Sequence, residues 1–128
     1  MENLLLEQTE ETPYILADYT NNSIKIVGQS YPENTFDFYK VVISWMEEYF
    51  SQQREVEVYI DLEYLNSSSL KAYFDIFDIF EKSFETKKSK INIKWMYHKE
   101  NDIALETGED FQLDFENLNI EIIEKVEG

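Results

Sequence analysis

Between Glu55 and Tyr97 the hydrophobic period of the chain changes twice, from two residues to about 3.6 and back. Val56, Val58, Ile60 and Leu62 share one side of a two-residue repeat, with Glu55, Glu57, Tyr59, Asp61 and Glu63 on the other. That is the pattern of a strand buried on one face, here over Glu55–Leu65. From about Ser67 to Thr86, Leu70, Phe74, Phe77 and Phe84 recur at helical spacing, with Tyr73, Ile76 and Phe80 beside them. The two-residue repeat then returns at Lys90–Tyr97, where Ile91, Ile93, Trp95 and Tyr97 alternate with Lys90, Asn92 and Lys94. A strand, a helix and a second strand joined this closely predict parallel neighbours with a right-handed crossover, and lysines facing acids across the open side.

The flanking segments extend the same scheme. Pro13–Asp18 and Ser23–Gly28 read as a hairpin across Thr20–Ser23. Asn34 is placed to cap a helix running to about Gln52, whose buried stripe comprises Phe38, Val42, Trp45 and Tyr49 with Tyr39, Ile43, Met46 and Phe50. A third helix over about Glu100–Phe115 offers Ile103, Thr107, Phe111 and Phe115, and Gly108 within it implies tight contact or an early end. Asn119–Val126 reads as the last strand. The expected fold is α/β, a two-layer sandwich of one mixed sheet with helices on one face, in a single domain over residues 1–128 whose residues 1–12 form a poorly ordered lead-in. In that topology residues 28–34, 64–69 and 97–101 leave the carboxyl edge of the parallel strands, where open α/β sheets bind their partners.

Composition removes several function classes. The 128 residues carry 27 acids against 11 bases, a net charge of −16 that repels nucleic acid and anionic lipid. There is no cysteine for a disulfide or thiolate site, and the three glycines form no phosphate-binding loop, so no cofactor is expected. The chain start has no basic leader and no run is long enough to span a bilayer, which points to a cytoplasmic protein without membrane insertion. Glu106, Glu109 and Asp110 lack a metal-loop pattern and read as solvated surface. The lone His98, with Asp102 and a rim serine, could build a small hydrolase, although no nucleophile elbow is present. Tyr31, Tyr64 and Tyr97 could instead crowd the rim as anchors for a protein partner.

The richest segment is Tyr64-Leu65-Asn66-Ser67-Ser68-Ser69-Leu70-Lys71, where three hydroxyls and an amide sit between a strand and a helix. One serine there can cap the helix, and a phosphoryl group on another would be tolerated at a helix start while adding about −1.5 to −2 charges. This segment with Asp75, together with Ser30-Tyr31-Pro32-Glu33-Asn34, Trp95, Tyr97 and Gly108-Glu109-Asp110-Phe111, resembles the SiaC family of bacterial regulatory phosphoproteins over roughly residues 12–115. The resemblance implies a fold similar to the STAS domains of anti-sigma-factor antagonists. It also implies a Ser/Thr kinase that phosphorylates a hydroxyl, a PP2C-type phosphatase that removes the phosphate, and a diguanylate cyclase activated by the unmodified form. The phosphorylated hydroxyl follows the family's Asn, which points to Ser67; the family's best-known member carries threonine there. Ser68 and Ser69 compete for the role. The implied partner-binding residues are Tyr31, Pro32, Glu33, Asn34, Tyr64, Leu65, Asn66, Ser68, Ser69, Lys71 and Asp75. A constitutive interaction module without modification is the other alternative to a hydrolase.

Overall fold

Two rows of apolar side chains cross the sheet from edge to edge and set its architecture. One row is Leu6, Ile15, Ile26, Ile60, Trp95 and Ile122, and the next is Leu4, Ala17, Ile24, Val58, Ile93 and Ile120. They come from β1 (Leu4–Leu6), β2 (Tyr14–Asp18), β3 (Ser23–Ser30), β4 (Val56–Leu65), β5 (Ile91–Tyr97) and β6 (Asn119–Glu124), which lie side by side in chain order. The first two pairings are antiparallel, and β3 to β6 are parallel. These strands belong to a computed structural model that describes residues 1–126; the last two residues of the expected domain, Glu127 and Gly128, lie outside the described residues.

The opposite face is open, with Lys25, Glu57, Lys94 and Glu121 exposed on it. Lys94 stands in register with Tyr59 on β4 and with Glu121 on β6, so its acid lies on the edge strand rather than on β4. Asp61 meets Lys125 at 3.2 Å.

The lead-in differs from its expectation. Leu4–Leu6 pairs with β2, the Trp45 indole donates to the Glu2 carbonyl at 2.9 Å, and Asn3 accepts the Tyr19 N–H at 2.8 Å. Three consecutive leucines show no alternation, so a strand this short leaves no periodic trace.

The connecting helices are α1 (Thr35–Tyr49), α2 (Ser67–Lys87) and α3 (Asp102–Asp114). Each is capped by an asparagine, Asn34, Asn66 or Asn101, whose side chain accepts the N–H three residues on. The stripe of α2 runs through Tyr73, Ile76, Phe77, Phe80 and Ser83, which leaves Phe84 at its margin and 39% exposed, contrary to the sequence reading. Ile103 is likewise 75% exposed, because the buried side of α3 runs through Ala104, Gly108 and Phe111, one position on from the expected stripe. Phe77 stacks on Phe111 at 4.3 Å and both meet Phe115, with Trp95 beside Phe111 at 5.3 Å. Gly108 faces that indole, and a Cβ there would lie 2.5 Å from Trp95 Cδ1.

Beneath the carboxyl edge runs a buried chain of hydroxyls. Ser30 Oγ lies 2.7 Å from both Ser69 Oγ and the Tyr39 hydroxyl, and Tyr39 donates to the Tyr73 hydroxyl at 3.1 Å. None of the four is more than 1% exposed. Burial pushes the Tyr39 phenol up to about 12 and Tyr73 well above the usual tyrosine range, so both remain protonated at neutral pH.

Gly108→Ala is expected to destabilise the fold by about 1–3 kcal/mol despite a helix-propensity gain of up to ~1 kcal/mol, because the buried indole cannot yield. A lower urea midpoint at unchanged m-value is the readout, and an unchanged midpoint contradicts the packing. Because folding raises the Tyr39 pKa, the unfolded chain ionises first. Stability is therefore expected to be full below pH ~10 and to fall by roughly 2–3 kcal/mol from Tyr39 alone as pH rises to ~12. A shallower alkaline decline in Tyr39→Phe checks this.

Candidate functional site

The site is built where β3 and β4 end. Ser23 to Gly28 pair in register with Glu57 to Leu62, but Gln29 then faces Tyr64, so β4 carries one extra residue at Glu63. A bulge of this kind shifts the alternation by one position. Leu65 thereby stands opposite Ser30 and packs against the core, while Tyr64 is 52% exposed with its ring 6.0 Å from that of half-buried Tyr31. Gly28, at φ +134°, lies under the segment that precedes β2: a Cβ there would come within 3.3 Å of Pro13 and of the Gln8 side chain. That segment is tied to the rim, since the Glu11 carbonyl accepts the Tyr31 N–H at 2.8 Å and the Glu10 carbonyl accepts from the Gln29 amide.

The three serines have different environments. Asn66, not a serine, caps α2: its side chain accepts the Ser69 N–H at 2.9 Å, its carbonyl accepts the Leu70 N–H at 2.9 Å, and its own N–H donates to the Ser30 carbonyl at 3.0 Å. Ser67 and Ser68 open the helix with exposed side chains, and their amides precede the first intrahelical bond. Ser69 is fully buried on Ser30. The sequence reading of Ser69 as an accessible competitor and partner contact is corrected by that burial, since its hydroxyl faces the core.

A groove of about 580 Å³ lies between α1 and the first half of α2. Tyr39, Ile43 and Ala72 supply its apolar lining and Phe36, 75% exposed, its lip. Of the predicted partner residues, Glu33, Asn34, Ser68, Lys71 and Asp75 border it, joined by Lys40 and Glu47. Tyr31, Pro32, Tyr64 and Leu65 lie outside the groove, at the adjoining strand ends.

The third predicted rim loop also arrives, because Asn101 donates to the Glu63 carbonyl at 2.9 Å. Tyr97, however, lines a separate polar recess with Asp61, His98, Asn101 and Lys125. His98 Nδ1 accepts the Glu100 N–H at 3.2 Å. A triad histidine uses that nitrogen to donate to its acid, so the geometry opposes the hydrolase reading. Glu106, Glu109 and Asp110 are exposed on α3.

Sequence reasoning missed Ser30, Tyr39 and Tyr73 as a group, and missed Phe36 and Lys40 as groove residues. Ser30 reads as loop because the strand signal stops at Gly28, and Tyr39 and Tyr73 read as core. Their phenols were the available signal, since a buried tyrosine hydroxyl requires a partner.

Residues 6–125 match the family model described as SiaC family regulatory phosphoprotein. A protein of Pseudomonas aeruginosa strain UCBPP-PA14, called only an uncharacterized protein, is 34% identical over 115 residues, 89% of this chain and 90% of that one. The structure of SiaC of Pseudomonas aeruginosa superposes with a TM-score of 0.91 at 31% identity, over 98% of this chain and all of the other. A chain in the crystal structure of the diguanylate cyclase SiaD in complex with its activator SiaC, also from Pseudomonas aeruginosa, gives 0.87 at 32% identity, over 93% of this chain and 97% of that one. With the family model matched over nearly the whole chain and the same fold in a relative of 31% identity, this chain belongs to the SiaC family of regulatory phosphoproteins.

Proposed function

We propose that this chain is a non-enzymatic, cytoplasmic switch, one regulatory domain over residues 1–128, whose unmodified form binds and activates a diguanylate cyclase. A Ser/Thr kinase phosphorylates Ser67 and a PP2C-type phosphatase reverses the step. The observation that supports this most is the exposure of Ser67 on a capped helix start, one residue from a partly apolar groove. The SiaC relative seen as the activator of a cyclase supports the choice of effector.

The chemistry is balanced without any group from this chain beyond the acceptor. Ser67 Oγ forms the new bond to the γ-phosphorus of ATP as the bond to ADP breaks, and the kinase takes the hydroxyl proton. Hydrolysis in the phosphatase returns the serine and inorganic phosphate. Because Asn66 and not Ser67 caps the helix, modification leaves the cap in place. The added charge sits at the positive end of α2, so the fold tolerates it. A docked partner does not: enclosing a doubly charged phosphate without a matching cation costs several kcal/mol. Glu33, Glu63 and Asp75 already make the rim acidic, while Lys71 lies one turn along the helix.

Ser67→Ala is expected to lose phosphate incorporation from the kinase while its unfolding free energy from urea titration stays within about 0.5 kcal/mol of wild type and cyclase activation persists. Ser68→Ala is expected to keep incorporation. Phosphate entering Ser67→Ala at the wild-type rate contradicts the assignment.

A further inference from the structure

The hydroxyl chain under the rim has a direction. Each hydroxyl carries one proton, and that of Tyr39 goes to Tyr73. Tyr39 must therefore accept from Ser30, and Ser30 in turn from Ser69. The chain thus runs from the first turn of α2, through the end of β3, to the α1 side chain that lines the groove, and back to α2 at Tyr73. Ser30 holds the start of α2 at two points, by its carbonyl on the Asn66 N–H and by its hydroxyl on Ser69.

We propose that Ser30 and Tyr39 are positioning residues of the switch: through Ser69 they lock the first turn of α2, which presents Ser67, to the groove wall on α1, so that helix start and groove meet a partner as one rigid face. Core packing alone asks for no hydroxyls here, since Phe at 39 and 73 and Ala at 30 and 69 would also fill apolar space. Three bonds among fully enclosed hydroxyls instead favour one relative placement of three elements, because moving the elements apart would leave the buried Ser69, Ser30 and Tyr39 donors without their acceptors. The proposal rests on the switch reading for its purpose but not for its geometry.

The test is amide exchange on the purified whole chain, in which the Ser69 and Leu70 amides report the first turn of α2 and those of Ile60 and Trp95 report the central strands. Tyr39→Phe and Ser30→Ala are expected to speed exchange at Ser69 and Leu70 about tenfold relative to Ile60 and Trp95. Tyr73→Phe removes only the last acceptor and is expected to leave that ratio unchanged. A uniform rise at all four amides, an equal local rise in Tyr73→Phe, or no change in Tyr39→Phe overturns the proposal. Ser30→Ala could be too unstable to read, and Tyr39→Phe, which keeps the ring, then decides. In a binding arm, Tyr39→Phe is expected to lose about tenfold in affinity for the diguanylate cyclase while Tyr73→Phe is not; equal affinities overturn the positioning role even where exchange rises. A wild-type chain that binds no cyclase sinks the switch reading, and the exchange ratio still decides the lock.

Discussion

Ser23–Ser30 and Val56–Leu65 run parallel at the centre of the sheet, and a slip of one residue between them would turn Ile24, Ile26, Val58 and Ile60 out of the core together. That register delivers Ser30 to the point where β4 ends and α2 begins, so that its carbonyl meets Asn66 and its hydroxyl meets Ser69. The bulge at Glu63 belongs to the same arrangement: it releases Tyr64 to the surface and seats Leu65 inward immediately before the cap. The exposed serines are thus held over an apolar sheet at a helix start fixed from below, and their presentation follows from the strand register together with the two bonds from Ser30.

Charge explains how so small a modification could be read by other proteins. On a chain of net charge −16 the rim borders Glu33, Asp75 and Glu63, with Lys40 and Lys71 as the cations of the groove. Lys40 lies 4.0 Å from Asp37 with both side chains well exposed, a contact worth little. A phosphate at Ser67 would deepen a field that is already negative, while the amides at the helix start keep it compatible with the fold. The proposed switch would then act at the surface, on what can dock, and would require no rearrangement of the core.

Most of the architecture was legible because each buried strand and helix repeats its pattern over several periods. The alternation of Val56–Leu62 and Ile91–Trp95 and the stripe of α1 survive folding intact. Asn34 was readable as a cap because a side-chain amide before a helical stripe has one obvious use. Leu4–Leu6 escaped notice because a short edge strand has no period, and Ile103 and Phe84 because helical spacing alone does not fix which edge of an apolar stripe faces the core. At the site, the segment was legible but the division of labour was not: the sequence offers Ser67, Ser68 and Ser69 as equals, and only burial separates Ser69 from the other two. The pairing of Ser30 with Ser69 is non-local, the two standing 39 positions apart, and no pattern within either segment announces it.

The central claim, that a single phosphate at the start of α2 governs partner docking, is tested most directly by calorimetric titration of the diguanylate cyclase with two forms of the protein, one unmodified and one synthesised with phosphoserine at position 67. The account predicts tight binding by the unmodified form and a loss of at least about a hundredfold in affinity on phosphorylation, on the order of 3 kcal/mol. Equal affinity of the two forms contradicts it.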